Sequence, residues 1–231
     1  MRLRLFTGAF LASLALGPAA AADLIEPWDS GFSNFELFVA VTAKPSSRAV
    51  ASLAGFGVAD GVSLGTWISR TDAEESQNGF VGILTRPLSP RMEVDVWGEI
   101  VVVDTLDQDE RRREVQWGVG TEWSLAFPRV VPYARASHAS TVEGGQLRGL
   151  TGLMLPVGSL LELHLEAAAE QPGAGPWLTS LALGPNLLLH PRVELLPEIA
   201  YVNDRAAGET TWVATIGIVI DPRRRRAGSG A

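Results

Sequence analysis

Cysteine is absent from all 231 residues. Disulfide staples, zinc–thiolate centres and thiol catalysis are therefore excluded. Beyond the N-terminal region no run of about eighteen uncharged apolar residues occurs, so a helical membrane span is excluded there too. Basic charge is also scarce, with 19 Lys+Arg against 26 Asp+Glu and a formal net charge of −7. Arg2, Arg4 and the run Arg223 to Arg226 lie at the two ends, so the middle of the chain is more acidic still. A nucleic-acid partner needs a basic footprint and is not expected. No Gly-x-Ser-x-Gly elbow or Walker loop is present, and "GVGTEW" lacks the third glycine of a dinucleotide fingerprint. No cofactor and no metal is expected.

What is present begins with a leader. Arg2 and Arg4 precede an apolar run from Leu5 to Leu16, then Gly17-Pro18 and alanines to Ala22. A basic start, a short apolar middle and an Ala-x-Ala end make a secretory signal peptide. The expected organisation is a signal peptide over 1–22 and an N-terminal periplasmic segment over 23–33. A β-domain over 34–221 and a disordered basic tail over 222–231 complete it. An exported chain without cysteine must be held by packing or by closure of a sheet.

The rest alternates with period two. In "EVQWGVGTEWSL", Val115, Trp117, Val119, Thr121, Trp123 and Leu125 share one face, and Glu114, Gln116, Gly118, Gly120, Glu122 and Ser124 the other. Segments of this kind run over 34–44, 49–59, 61–70, 79–88, 92–103, 112–125, 129–138, 147–156, 160–170, 176–188, 193–203 and 209–220. Most suit a membrane strand, which needs about nine to eleven residues. "LELHLEAAAEQ" is rich in helix formers, but Leu161, Leu163 and Leu165 alternate with Glu162, His164 and Glu166, which favours a strand.

Connections alternate as well. Polar stretches such as "TDAEESQN", "TLDQDERR" and "ASTVEGGQ" take turns with short ones such as "ADG", "SPR" and "LHPR". Long loops on one side and tight turns on the other mark an outer-membrane barrel. The fold expected is therefore all-β: a closed antiparallel transmembrane β-barrel of about twelve strands in a bacterial outer membrane. The alternative is a soluble periplasmic β-sandwich or lipocalin-like binding module, the same strands turned inside out. With only two tyrosines, the interfacial aromatic anchors fall to tryptophans, among them Trp28, Trp67, Trp117, Trp177 and Trp212.

In a barrel the polar faces line the lumen. The expected lining is Glu36, Glu93, Asp95, Glu99, Glu114, Glu122, Glu162, His164, Glu166, Glu194 and Glu198, with Arg86, Arg135 and Arg148 as the few bases. Rings of carboxylates favour cations. Glu162, His164 and Glu166 also suggest a divalent-metal site, but residues i and i+2 on one strand lie about 7 Å apart, so one strand rarely completes a ligand shell. Lumen polarity is the preferred reading. His190, in "LHPR", reads as a polar turn residue.

Two stretches carry a resemblance. "AGFGVADGVSLGTWIS" (Ala54 to Ser69), and "GPNLLLHPRVELLPEIAYVND" (Gly184 to Asp204) followed by "WVATIGIVI", resemble hairpins of proteobacterial outer-membrane β-barrels regarded as transporters, including barrels associated with aromatic-compound degradation. The resemblance implies passive uptake of small molecules and supplies no catalytic residues. Expected partners are outer-membrane lipid and a small-molecule solute, with oligomeric state open. A different resemblance rests on "RASHASTVEGG". His138, Ser140 and Glu143 are similar to the His-x-Ser pair and glutamate of outer-membrane lipid-A deacylases. In that reading imidazole would activate the serine, and the acid would orient the imidazole. His-x-Ser is common by chance, and the expectation leans away from an enzyme.

Overall fold

The computed structural model describes residues 35–44, 47–59, 61–71, 75–107, 110–141, 144–158, 160–171, 173, 175–190, 192–204 and 208–220. The signal peptide, the 23–33 segment, Trp28 and the basic tail lie outside the described residues. The elements are β1 (Phe35–Lys44), β2 (Ser47–Ala59), β3 (Val62–Thr71), β4 (Glu75–Ser89), β5 (Met92–Asp107) and β6 (Glu110–Leu125). They continue as β7 (Val131–Thr141), β8 (Gly144–Pro156), β9 (Leu161–Gln171), β10 (Leu178–His190), β11 (Val193–Asp204) and β12 (Glu209–Ile220). Each strand pairs antiparallel with its sequence neighbours, and β1 pairs with β12 to close the barrel. Closure leaves no strand at an edge, a requirement for any sheet that spans lipid.

The alternation sorts side chains as expected for a membrane wall. On β6 the Trp117, Val119 and Trp123 face is exposed while Glu122 and Ser124 are buried. On β12 Trp212, Ile216 and Ile218 point out, and Val213, Thr215 and Val219 point in. Large apolar side chains thus cover the outside of the barrel. No surface of this kind is stable in water, and this distribution excludes the inside-out sandwich.

Three expectations need correction. The loop asymmetry largely dissolves, because strands run on through polar sequence: β5 and β6 extend to Asp107 and from Glu110, consuming most of "TLDQDERR". Backbone pairing continues wherever both chains remain extended, whatever the side chains, so polarity alone marks loops poorly. Second, Trp67 is not an interfacial anchor but lies inside at 1 % exposure. It shares its face with Ser63, Gly65 and Ser69, opposite Leu64 and Ile68. Third, the interior is not uniformly polar. Phe38, Leu53, Trp67, Ile83, Trp97 and Leu196 belong to an apolar cluster lining one side of it.

Large inward residues sit across from glycines. Trp67 is in register with Gly79, Trp97 with Gly120 and Tyr133 with Gly152. A Cβ at any of these glycines would overlap the facing ring. The missing side chain lets an aromatic ring lie flat along the inner wall of the neighbouring strand. Replacing Gly79 or Gly120 with valine should destabilise the barrel by about 1–3 kcal/mol through overpacking, read as a lower urea midpoint in detergent micelles. Gly98, in register with Val119 and with only the Gly118 carbonyl oxygen, 3.9 Å away, near its Cβ position, should tolerate alanine with little change.

Candidate functional site: the inner wall

The polar half of the interior is built on β4 to β10, and register explains its pairs. Thr85, Asp95, Glu122 and Arg135 lie side by side on one rung across β4, β5, β6 and β7. The Thr85 hydroxyl donates to Asp95 Oδ1. Arg135 Nε donates to Glu122 Oε2 at 2.9 Å, with both side chains about 5 % exposed or less. The Arg135 guanidinium also lies over the Trp97 ring, 5.5 Å from its centroid. This wall therefore bridges the apolar and charged halves.

A second rung runs from Tyr133 across Gly152 to Glu166 on β9. Because Gly152 has no side chain, the Tyr133 hydroxyl reaches over it and donates to Glu166 Oε1. Nearer the opposite rim, Arg148 faces Glu170, with Nε 3.9 Å from Oε2, and Gln146 Nε2 donates to Glu170 Oε1 at 2.6 Å. Ala168, Leu178, Ser180 and Val202 complete a small recess beside this pair. Glu99 is buried and faces Gly118, with the Trp67 indole as its hydrogen-bonding neighbour. A Cβ at Gly118 would crowd that carboxylate, so glycine again makes room for an inward group.

Of the residues expected to line the lumen, Asp95, Glu99, Glu122, Arg135, Arg148, His164, Glu166 and Glu194 are buried inside. Glu93, Glu114, Glu162 and Glu198 share the inward faces and are part-buried. Glu36 has the strand parity of Phe38 and Ala40, but its side chain lies outside the described residues. Arg86 is misplaced in the sequence reading. Thr85 points inward, so Arg86 points outward, exposed near the β4–β5 turn. Glu162 and His164 come only to 4.0 Å, and no metal-holding group of three ligands occurs among the described residues.

Sequence reasoning missed Thr85, Tyr133 and Glu170. Parity could have found Glu170, which continues the Glu162, His164, Glu166 face of β9. Tyr133 points inward with Arg135. His138 and Ser140 consequently face outward. Ser140 Oγ accepts the Trp117 backbone N–H at 3.1 Å, and the His138 ring packs on Trp117 at 5.6 Å between centroids. Glu143 lies outside the described residues. No hydrogen bond between His138 and Ser140 joins them as base and nucleophile among the described contacts, and both side chains have packing roles on the outer wall.

One charged group stands beyond the spanning wall. Near the β5–β6 connection Asp104 points outward and is clamped by Arg113, Nε to Oδ1 at 2.8 Å and Nη2 to Oδ2 at 3.2 Å. Arg111 Nη2 adds a third contact at 3.1 Å.

No known protein family matches the chain by its sequence profile, and no curated protein is significantly similar to it. Solved structures do resemble it. The KdgM porin in complex with disordered oligogalacturonate superposes with TM-score 0.65 at 7 % identity, covering 80 % of this chain and 98 % of that one. The NanC porin gives 0.61 at 10 % identity over 80 % and 98 %. The outer membrane protein Omp33 of Acinetobacter baumannii gives 0.55 at 9 % identity over 84 % and 100 %. At such identities the likeness establishes the fold, that of an outer-membrane-type β-barrel, as the outward apolar face requires independently.

Replacing Arg135 with alanine strands a buried Glu122 beside Asp95. A loss of about 3–5 kcal/mol in unfolding free energy is expected, and the double variant Glu122→Gln/Arg135→Met should recover much of it. The Arg113 hydrogen bonds, with the Arg111 charge, hold the Asp104 carboxyl down at about 2. A depressed carboxylate contributes stability above its ordinary titration range and loses it as pH falls through the folded value. The wild-type protein should therefore exceed Asp104→Asn in Tm from neutral pH down to about pH 4. That difference should close as pH approaches about 2, as checked by thermal melts in micelles.

Proposed function

We propose that the protein is a passive pore of a bacterial outer membrane, admitting small polar or cationic solutes. The observation that carries this reading is the inward wall: carboxylates from β5, β6, β9 and β11 face inward, while Arg135 and Arg148 are each turned toward an acid. Paired arginines leave the wall with an excess of negative charge. Inward carboxylates attract cations and repel anions, and a low-dielectric wall strengthens the effect. Porin architecture in the resembling structures supports the reading, as do the outward apolar face and the signal-peptide pattern. The apolar strip on the other side of the interior suits solutes with a hydrophobic portion.

The lipid-hydrolase reading has less support, because Ser140 is occupied in holding Trp117 and nothing described orients His138 as its base. Purified protein in planar bilayers under a potassium chloride gradient should show a reversal potential of cation-selective sign. Neutralising Glu166 and Glu194 with glutamine should reduce that preference. Anion preference, or no conductance at all, would count against a cation-passing pore.

A further inference from the structure

The outer face near the β5–β6 connection carries a feature that the lumen does not use. Register places Arg70 of β3 beside Ser76 of β4, Ser76 beside Asp104 of β5, and Asp104 beside Arg113 of β6. These four share one outward rung. With strands about 4.8 Å apart, Arg70 and Arg113 stand about 14 Å from each other along the wall. Arg111 lies two residues beyond Arg113, and Arg48 two residues beyond Val50, the partner of Arg70. All four arginines are exposed. Below on the same face come Ile68 and Val115, on a rung with Asn78 and Val102, and then Phe80, Ile100 and Trp117 one rung further down.

The opposite flank of the barrel differs. Its corresponding outward rung reads Ala169, Thr179, Asn203 and Thr210, without a charge. A general need for polar residues above the apolar band would be met equally well by that neutral rung. The arginines are thus confined to β2, β3 and β6.

Their arrangement is suited to oxyanions. Asp104 fixes Arg113 through two parallel hydrogen bonds and takes only Nη2 of Arg111. Both guanidinium-bearing side chains stay open to solvent, 67 % exposed for Arg111 and 64 % for Arg113. A guanidinium already oriented by a carboxylate loses little further freedom on binding phosphate, and its planar fork matches phosphate geometry. Arg70 has no ion pair among the described residues and supplies a second cation at the far end of the rung. The group remains net positive despite Asp104.

We propose that this rung is a binding site for the phosphate-bearing headgroup of an outer-leaflet lipid. The acyl chains would lie along the Ile68, Phe80 and Ile100 face, and the phosphates would engage Arg70, Arg111 and Arg113. The assignment rests on the outer-membrane reading above, because that reading places this end of the barrel at the outer leaflet. A lipid is favoured over a soluble anion because the cations sit directly above lipid-facing side chains, outside the lumen. Cationic side chains just above the apolar band are attracted to anionic lipid headgroups.

The test uses the detergent-solubilised full-length barrel and native mass spectrometry, titrated with bisphosphorylated lipid A, dephosphorylated lipid A, phosphatidylcholine and inorganic phosphate. The wild-type protein should bind the bisphosphorylated form at least about tenfold more tightly than the dephosphorylated one. Phosphatidylcholine should bind weakly, and inorganic phosphate should compete only at high concentration. Arg70→Gln/Arg113→Gln should lose that preference, whereas Arg86→Gln, outward at the other end, should keep it. Heat-modifiable migration and bilayer conductance, measured on the same preparations, should be unchanged by these outward substitutions. Equal binding of both lipid A forms by the wild type would overturn the site, and needs no variant. Undiminished preference in the folded double variant would do so too, as would tight binding of inorganic phosphate alone. A wild-type protein without conductance that still shows the phosphate preference would remove the pore reading and leave the lipid site standing.

Discussion

Closure of the sheet is the constraint on which everything else rests. The seam between β1 and β12 pairs Leu37 with Ile220 through Ala43 with Ala214 in unbroken antiparallel register. Across it the Thr42 hydroxyl donates to Thr215 Oγ1 at 3.2 Å on the inner side. Once the last strand returns to the first, no edge strand is left to lipid, and every side chain must point either in or out. Two-residue periodicity then becomes a partition of chemistry. Trp117 and Glu122, five residues apart on one strand, end in environments as different as hydrocarbon and a charged interior.

That partition makes the inner wall a crowded place. Aromatic rings at Trp67, Trp97 and Tyr133 fit because glycines face them, and the same device makes room for the Glu99 carboxylate beside Gly118. Charges enter this space in registered pairs. Arg135 is bound to Glu122 because the β6–β7 register sets them opposite each other, and Tyr133 meets Glu166 because Gly152 lies between them. Buried ions gain most from such geometry when the remaining polar atoms are also engaged, and Trp97 beneath Arg135 supplies a further favourable contact. The electrostatics of any permeating solute would follow from these few registers.

The outer wall is organised by height as well as parity. Apolar residues fill the band that lipid would cover, while Asp104, Arg111 and Arg113 appear only where β5 and β6 outrun the roughly ten residues a span requires. The long hairpin therefore carries charge beyond the apolar band on the same face that packs against it. His138 and Ser140 belong to this outer wall, not to a pocket, and their contacts with Trp117 tie β6 to β7 where the backbone ladder between them ends.

Much of this was legible in the sequence. Strand number, strand order, antiparallel neighbours and the inward placement of Asp95, Glu122, His164 and Glu166 all follow from an alternation that only one sheet face can satisfy. Where both faces of a strand carry similar residues, alternation is silent. β2 and β3 carry small or apolar uncharged residues on both faces along most of their length, so the inner apolar strip was not foreseen, and Trp67 was assigned to the wrong side. Arg86 failed for a related reason: at a strand end, one exposed cation says little about parity until the register with β5 is known. By itself the sequence determined a closed barrel with one acidic and one apolar surface, because period two and strand length are local properties of the chain. Only the tertiary structure decided which acid meets which base, which glycine shelters which ring, and which arginines share an outward rung, because those depend on register between strands that no single segment encodes.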